Sequence, residues 1–400
     1  MLKKMRFIGI AVLLAACGAN APGQAQTKSV ETRAPNGRGQ VPAFPGQTRI
    51  TEQKLGVAFN VATFARGLDS PWGLVFLPDG RGLVTEKPGR LRFVATDGSL
   101  SAPITGVPAV YASGQAGLLD VALDPAFAAN RRIYLSYLET RTGGQNIAVA
   151  RAELNGGALS NVTVIFHAVQ TQAGGTNIGS RLVFAPDGTL FVSVGDRFNP
   201  KEKAQDLSVD SGKIIRITTD GAPAADNPFV GRAGARPEIW SYGHRNPEGM
   251  ALNPATHVLW DVEHGARGGD EINIPARGKN YGWPVITYGI DYSGAPIGAG
   301  ITQQAGLEQP IYYWDPVIAP SGMLFYTGEK FPAWKNSLFI GGLGAQALVR
   351  LSLNGDKVVG EEHLLLDQHE RIRDVRQGPD GLIYVLTDNT DGRILRLSPK

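Results

Sequence analysis

The sequence predicts an all-β fold, a six-bladed β-propeller of four-stranded antiparallel blades, and three observations carry the prediction. Short alternating strands run from about residue 57 to the C-terminus with little sustained helical period. A strand, a Pro-Asp-Gly-like turn and a second strand recur along the whole of that stretch. The recurrences are spaced by roughly fifty to seventy residues, which fits one four-stranded blade each better than it fits a sandwich.

Ahead of the repeats, Met1-Leu2-Lys3-Lys4-Met5-Arg6 is basic and the run Phe7 to Ala16 is apolar but too short to span a bilayer as a mature helix. Residues 1–16 therefore read as a secretory signal peptide. The run ends in Leu14-Ala15-Ala16-Cys17-Gly18, which looks like a bacterial lipobox with Cys17 as the lipidated first residue; an ordinary signal peptide with a chance Cys is the alternative. Cys17 is the only cysteine, which excludes a disulfide within the chain. Residues 17–50 are rich in Gly, Pro, Ala, Gln and Thr and are expected to form a flexible tether, leaving 51–400 as the propeller. The expected location is the bacterial periplasm, on the outer membrane, with the lipid as the sole attachment.

Within the propeller the strand-turn units fall at Trp72 to Gly80, Leu119 to Pro125, Leu182 to Gly188, Met250 to Pro254, Met323 to Gly328 and Val375 to Gly381. Asp caps its own turn and Gly accepts positive φ, so each unit reads as a tight hairpin between buried strands. Val57 to Leu68 is expected to supply an outer strand to the last blade, beside Leu382 to Leu386 and Ile394 to Leu397, closing the ring.

Composition narrows the partners. With 39 Lys+Arg against 36 Asp+Glu and a formal charge of +3, the chain is too balanced to suggest a nucleic-acid surface. The residues suited to chemistry concentrate in Ser241 to Met250 and Val262 to Asn273, where Gly, Arg, Asn, Asp and Glu crowd loops between short apolar strands. Arg371 and Arg373, one residue apart in a strand-like run, point the same way, and paired guanidiniums suit a polycarboxylate.

An ordered series of motifs carries a family resemblance from about residue 55 to the end: Gly114-Gln115-Ala116-Gly117-Leu118-Leu119, Gly179-Ser180-Arg181-Leu182-Val183, Gly243-His244-Arg245-Asn246-Pro247, Asp270-Glu271-Ile272-Asn273, Asn280-Tyr281-Gly282-Trp283-Pro284, Ala319-Pro320-Ser321-Gly322 and Arg371-Ile372-Arg373-Asp374-Val375. The chain resembles the glucose/sorbosone dehydrogenases, soluble sugar dehydrogenases that use pyrroloquinoline quinone (PQQ). The resemblance implies a PQQ- and calcium-dependent enzyme that oxidises the anomeric hydroxyl of aldoses to lactones. It implies that Arg371 and Arg373 bind the PQQ carboxylates and carbonyls, that Arg245 and Asn246 border the quinone ring, and that Gln115 lies near the reacting carbon. The backbone carbonyls of Gly265 and Ala266 match the positions that hold the calcium bridging to PQQ, Ala266 standing where many members have Pro. Glu271, Tyr281 and Asp291 match a second, structural calcium site, and Trp314 matches an aromatic at the rim of the sugar cleft.

The chain also departs from the family pattern. Where members carry the His that removes the hydroxyl proton, the register places Asn177, whose amide does not titrate near neutral pH. A cofactor-binding Lys of some members falls at about Gly344. His244 and His264 flank the cofactor loops and read as loop supports. Asn177 opens a second reading, a PQQ- or sugar-binding propeller with weak or lost turnover. No Cys-x-x-Cys-His haem site is present, so electrons are expected to leave through a separate acceptor, and a homodimer is compatible with the sequence.

Overall fold

The computed structural model describes residues 28–400. Residues 1–16, expected to be a signal peptide, and Cys17 lie outside them. Among the described residues no helix is long and apolar enough to cross a membrane.

Six small antiparallel sheets form the blades of a propeller. Their innermost strands are Pro71–Phe76, Leu118–Leu123, Gly179–Phe184, Pro247–Leu252, Pro320–Phe325 and Ile372–Gln377. Five blades have four strands and the first has three, Pro71–Phe76, Gly82–Glu86 and Arg90–Val94. In that blade an irregular segment fills the fourth place: the N–H groups of Ser101 and Ile104 donate to Phe93 O and Leu91 O at 3.0 and 2.7 Å. Phe59–Leu68 pairs with Gly392–Pro399 and forms the outer edge of blade 6, as expected, so the last sheet is built from both ends of the repeat region.

The turns form as the sequence predicts. Asp79, Asp187 and Asp380 each accept a hydrogen bond from the backbone N–H two residues on, at 3.1, 2.9 and 3.1 Å. The glycine that follows each aspartate has φ of 87°, 81° and 75°, a region glycine enters without the Cβ penalty.

No blade buries both of its faces alone, and the apolar clusters lie between neighbours. Leu119, Tyr134 and Val149 of blade 2 pack against Leu182, Val192 and Ile215 of blade 3. Trp260 and Tyr312 of blade 4 pack against Met323, Ile340 and Val349 of blade 5. The interface between blades 3 and 4 is thinner, built on Phe191, Ile214, Met250 and Leu259.

The axis is closed by charge rather than by apolar side chains. Arg181 pairs with Asp120 at 3.0 Å and Asp374 at 3.5 Å, and Arg376 pairs with Asp374 at 2.9 Å and Asp120 at 3.6 Å, joining blades 2, 3 and 6. The Arg181 guanidinium also lies 4.2 Å from the centroid of the Trp72 ring of blade 1. The carboxylates approach neighbouring inner strands so closely that a Cβ on Gly322 would sit 2.0 Å from Asp374 Oδ1, and one on Gly73 2.7 Å from Asp120 Oδ1.

Residues 28–50 differ from the flexible tether expected of them. They lie against the outer strand of blade 4, with the N–H groups of Asn36 and Gly37 donating to the Asp315 carboxylate at 2.9 and 2.8 Å and Tyr313 N–H donating to Gln47 O at 2.9 Å. The side chain of Gln47 is fully buried and donates to Pro310 O at 2.8 Å. Polar contacts order this segment where its composition offers few apolar ones.

Candidate active site at the mouth of the propeller

Antiparallel order places the start of every inner strand at the same end as the hairpin between the second and third strands of its blade. Pro71 thus pairs with Glu86, Pro247 with Glu263, Pro320 with Gly342 and Ile372 with Thr387. Gln115, Asn177, Arg245, Asn246 and Arg371 all precede or begin inner strands, while Lys87, Asp196, Gly265, Ala266 and Asp388 sit on the hairpins. Sequence positions hundreds of residues apart meet at one end for this reason.

On one side of the mouth, Gln115 Oε1 accepts from Asn177 N–H at 2.6 Å and fixes the 174–177 loop. Asn177 is buried in a left-handed conformation with φ 47°, which Asn tolerates better than most residues. Its Nδ2 donates to Asp196 Oδ1 at 2.8 Å. Asp196 is also buried, and accepts from Phe198 N–H at 2.8 Å and Trp283 Nε1–H at 2.7 Å. Burial pushes its carboxyl above the ordinary value, against the opposing pull of Arg245.

Arg245 stands at the centre. Its Nη1 donates to the carbonyl of His264 at 3.0 Å and to that of Gly265, its Nη2 to Tyr292 OH at 3.3 Å, and its guanidinium lies 5.2 Å from the centroid of the Trp283 ring. Asn246 is a joint between blades: Oδ1 accepts from Gly179 N–H at 2.9 Å and Nδ2 donates to Glu248 Oε1 at 3.1 Å.

The paired arginines part company. Arg371 is exposed and reaches Asp388 Oδ2 and Leu343 O. Arg373 is buried, bonded to Glu248 Oε2 at 2.5 Å, to Asp388 Oδ1 at 3.2 Å and to Ser321 Oγ at 3.2 Å. Burial alone would lower the pKa of Arg373, but Asp388 and Glu248 hold it above the ordinary value. A residue the sequence did not single out, Lys87, projects here from blade 1; burial lowers its pKa, and its charged neighbours are Asp388, Arg373, Glu248 and Arg371. No motif marks it, although the hairpin Glu86-Lys87-Pro88-Gly89 recurs to the same end of the blade as the matched loops.

Two cavities flank Arg245. The larger, about 280 Å³, is lined by Asp196, Phe198, Lys201, Arg245, Ala266, Trp283, Asp291 and Tyr292. At its rim Phe198 and Tyr292 are stacked with centroids 6.3 Å apart, and they are 42% and 59% exposed. Trp314, expected at the rim, is instead 4% exposed on the outer strand of blade 4, its Nε1 donating to Glu361 Oε1 at 3.0 Å. It is a core residue, because Trp314 and Tyr312, two residues apart on the same face of the strand, both pack against blade 5.

The smaller cavity, about 10 Å³, is lined by Glu263, Glu271, Tyr281 and Gly265 among others. Register pairs Asp261 with Asn273 and Glu263 with Glu271 across two strands, so three carboxylates and an amide share one face. His244, Asp261 and Glu263 bring possible ligand atoms within 4.8 Å of one another. Neither Asp261 oxygen has a hydrogen-bond partner, and burial first, then Glu263, hold its carboxyl well above the usual range. His244 supports this loop as expected, bonded to Ser241 and Glu263 and stacked on Tyr281 with centroids 4.7 Å apart. Asp291 is not part of this group: it lines the other cavity, binds the Ser293 N–H at 3.0 Å in its own turn and lies 3.9 Å from Lys201. The trio Glu271, Tyr281 and Asp291 is therefore not assembled at one cavity.

Cationic side chains and neutral backbone carbonyls gather at the mouth. Lys87 and Arg371 offer cationic groups at the mouth, and the buried Arg245 Nε has no partner. The carbonyls of His264 and Gly265 already converge on a cation, the Arg245 guanidinium, and neutral carbonyls of this kind are what calcium accepts.

Fold and mouth together define a six-bladed propeller whose polar residues gather where the loops converge. The family model of the glucose/sorbosone dehydrogenases matches residues 68–396, and the chain belongs to that family. It is 49% identical over 347 residues to the aldose sugar dehydrogenase YliI of Escherichia coli (strain K12), covering 85% of this chain and 93% of that protein. The apo crystal structure of the soluble aldose sugar dehydrogenase from Escherichia coli superposes with a TM-score of 0.83 at 47% identity, covering 86% of this chain and 100% of that one. The PQQ-bound aldose sugar dehydrogenase from Streptomyces coelicolor superposes with a TM-score of 0.71 at 29% identity, covering 86% and 99%.

Proposed function

We propose that the chain is a PQQ- and calcium-dependent aldose dehydrogenase that oxidises the anomeric hydroxyl of sugars to lactones and hands electrons to a separate acceptor. The observation that carries the reading is the convergence of Gln115, Asn177, Asp196, Arg245 and Asn246 at the mouth of a propeller of this family. A PQQ-bound relative and aldose dehydrogenase relatives support it.

PQQ, when bound, would supply a quinone able to accept a hydride, that is two electrons with one proton, from the sugar. Lys87 and Arg371 would bind its carboxylates, and Arg373 would hold the wall behind them through Glu248 and Asp388. Arg245 and Asn246 would donate to the quinone oxygens, where negative charge develops and fixed donors need no reorganisation. Calcium would take the Gly265 and Ala266 carbonyls, and the carboxylates around Glu263 and Glu271 would suit a second ion. The sugar would enter the larger cavity, its C–H face against Phe198 and Tyr292. At about 280 Å³ this cavity is near the lower bound, about 300 Å³, of small-molecule sites. A lipid anchor at Cys17, with the propeller in the periplasm, completes the proposal.

The test is reconstitution of the purified chain with PQQ and calcium, followed by dye reduction over a panel of aldoses with product analysis. Sugar-dependent bleaching with lactone formed supports the reading. A bound PQQ spectrum with no bleaching for any sugar refutes it, as does lactone hydrolysis without PQQ.

A further inference from the structure

We propose that in this chain the Asp196 carboxylate, and not an imidazole, receives the proton of the sugar hydroxyl, with Asn177 as its positioning residue. This rests on the sugar-oxidising reading above and names a residue that the sequence motifs did not.

Among the described residues two carboxylates line the larger cavity, Asp196 and Asp291. The Asp291 side chain is 41% exposed, and the Ser293 backbone and hydroxyl hold its Oδ1 at 3.0 and 2.8 Å and keep its pKa below the ordinary value, which makes it a weak base. Asp196 is buried beside Arg245 and Trp283, against the space a substrate would fill. Asp196 Oδ1 accepts two hydrogen bonds, from Asn177 Nδ2 and Phe198 N–H, and so has both lone pairs engaged. Its Oδ2 accepts one, from Trp283 Nε1–H, and keeps the second lone pair. Oδ2 is therefore the atom able to take a proton.

The other titratable groups around it do not compete for this role. Arg245 and Arg197 are cationic; Arg197, lowered to about 10 by burial, is tied to the carbonyls of Thr176 and Gly174. Lys201 faces Asp291 at 3.9 Å. His244 is fully buried between Ser241 and Glu263, and His264 Nε2 faces Glu248 at 3.6 Å. The desolvated carboxyl of Asp196 is more basic than an exposed one, as a general base near neutral pH requires.

The step balances. The O–H bond at the anomeric carbon breaks with its proton going to Asp196 Oδ2; the C–H bond breaks with its hydride going to the quinone, which is reduced by two electrons. The anomeric carbon becomes the lactone carbonyl, and Asp196 returns its proton to solvent through the cavity.

The test compares wild type with Asp196→Asn, which keeps the shape and the acceptor for Asn177. PQQ affinity is measured first, by titration of cofactor absorbance. Expected for the variant are PQQ affinity within about threefold, kcat lower by about 10² to 10⁴, loss of the acid limb of kcat/KM against pH, and partial recovery of rate with added formate. A second measurement needs neither cofactor nor variant activity: infrared titration of the wild-type apoprotein should show a buried carboxyl ionising at the pH of the kcat/KM limb. Retention of rate within tenfold and of the limb in Asp196→Asn overturns the proposal, as does transfer of the limb to a His264→Gln variant. So does an infrared carboxyl midpoint away from the limb, should Asp196→Asn fail to fold. If wild type binds no PQQ or oxidises no sugar, the broader functional reading falls first, and this one with it.

Discussion

Asn177 Nδ2 donates to Asp196 Oδ1 at 2.8 Å, across the gap between the loop entering blade 3 and the hairpin leaving its second strand. An amide is thus poised where it can orient a carboxylate but cannot itself carry a proton.

Replacing Asn177 by His tests that relationship from the other side. An imidazole at residue 177 would face Asp196, and a neighbouring carboxylate raises the pKa of His above its ordinary value of about 6.5. The base must be unprotonated to act, so activity falls as pH drops through that pKa. The expected outcome for Asn177→His is an acid limb of kcat/KM moved up to about 6.5 or higher and a gain in kcat of less than about tenfold, because wild type already has a base. Full pH profiles of both proteins check it. A gain of about 10² or more with no acid limb in wild type would show that wild type lacks a base.

Arg371 and Arg373 should fail in different ways. Arg373→Ala leaves Glu248 buried without its arginine and is expected to cost about 3–5 kcal/mol of stability. Arg371→Ala should move the unfolding midpoint much less, since the Arg371 side chain is 48% exposed and Asp388 keeps its pair with Arg373. It should weaken PQQ binding by about 1.5–3 kcal/mol, the range for a hydrogen bond to a charged group. Denaturant unfolding and PQQ titration of the two single variants separate the effects.

Tyr292→Ala and Phe198→Ala are expected to raise KM for sugars by about 2- to 12-fold, the equivalent of about 0.5–1.5 kcal/mol of aromatic contact, with unchanged stability. Trp314→Ala should do the reverse. It removes a buried ring bonded to Glu361 and is expected to cost about 3–5 kcal/mol of stability. Steady-state kinetics beside thermal unfolding decides between rim and core for each residue.

Calcium should stabilise the chelated protein as well as tighten PQQ binding. At about a hundredfold its dissociation constant, an ion that binds only the folded state adds about 2.7 kcal/mol. Glu271→Gln is expected to shrink that gain, because it removes a carboxylate from the small cavity beside Glu263. Calorimetry with and without calcium measures both. An unchanged unfolding temperature on adding calcium to chelated wild type would exclude a calcium site there.

The propeller was legible in the sequence because its determinants are local. Asp79-Gly80, Asp187-Gly188 and Asp380-Gly381 write the same hairpin wherever they occur, and strand alternation needs no knowledge of neighbours. The closing strand Phe59–Leu68 was legible for a related reason, since a ring of repeats needs its last edge covered. The motif positions Gln115, Arg245 and Asn246 followed from family register, which already contains the convergence of loops. What a side chain meets across a blade interface is not written locally. Trp314 reads as a rim aromatic until blade 5 is packed over it, Asp291 as a ligand until its turn carries it to the other cavity, and Arg373 as a free guanidinium until Glu248 arrives from blade 4. Lys87, Asp196, Phe198 and Tyr292 belong to no motif, and only the closing of six sheets around one axis brings them to the mouth. The physical reason is that a hairpin is decided by the conformational preferences of adjacent residues, whereas burial and charge pairing at the mouth depend on strands hundreds of residues apart.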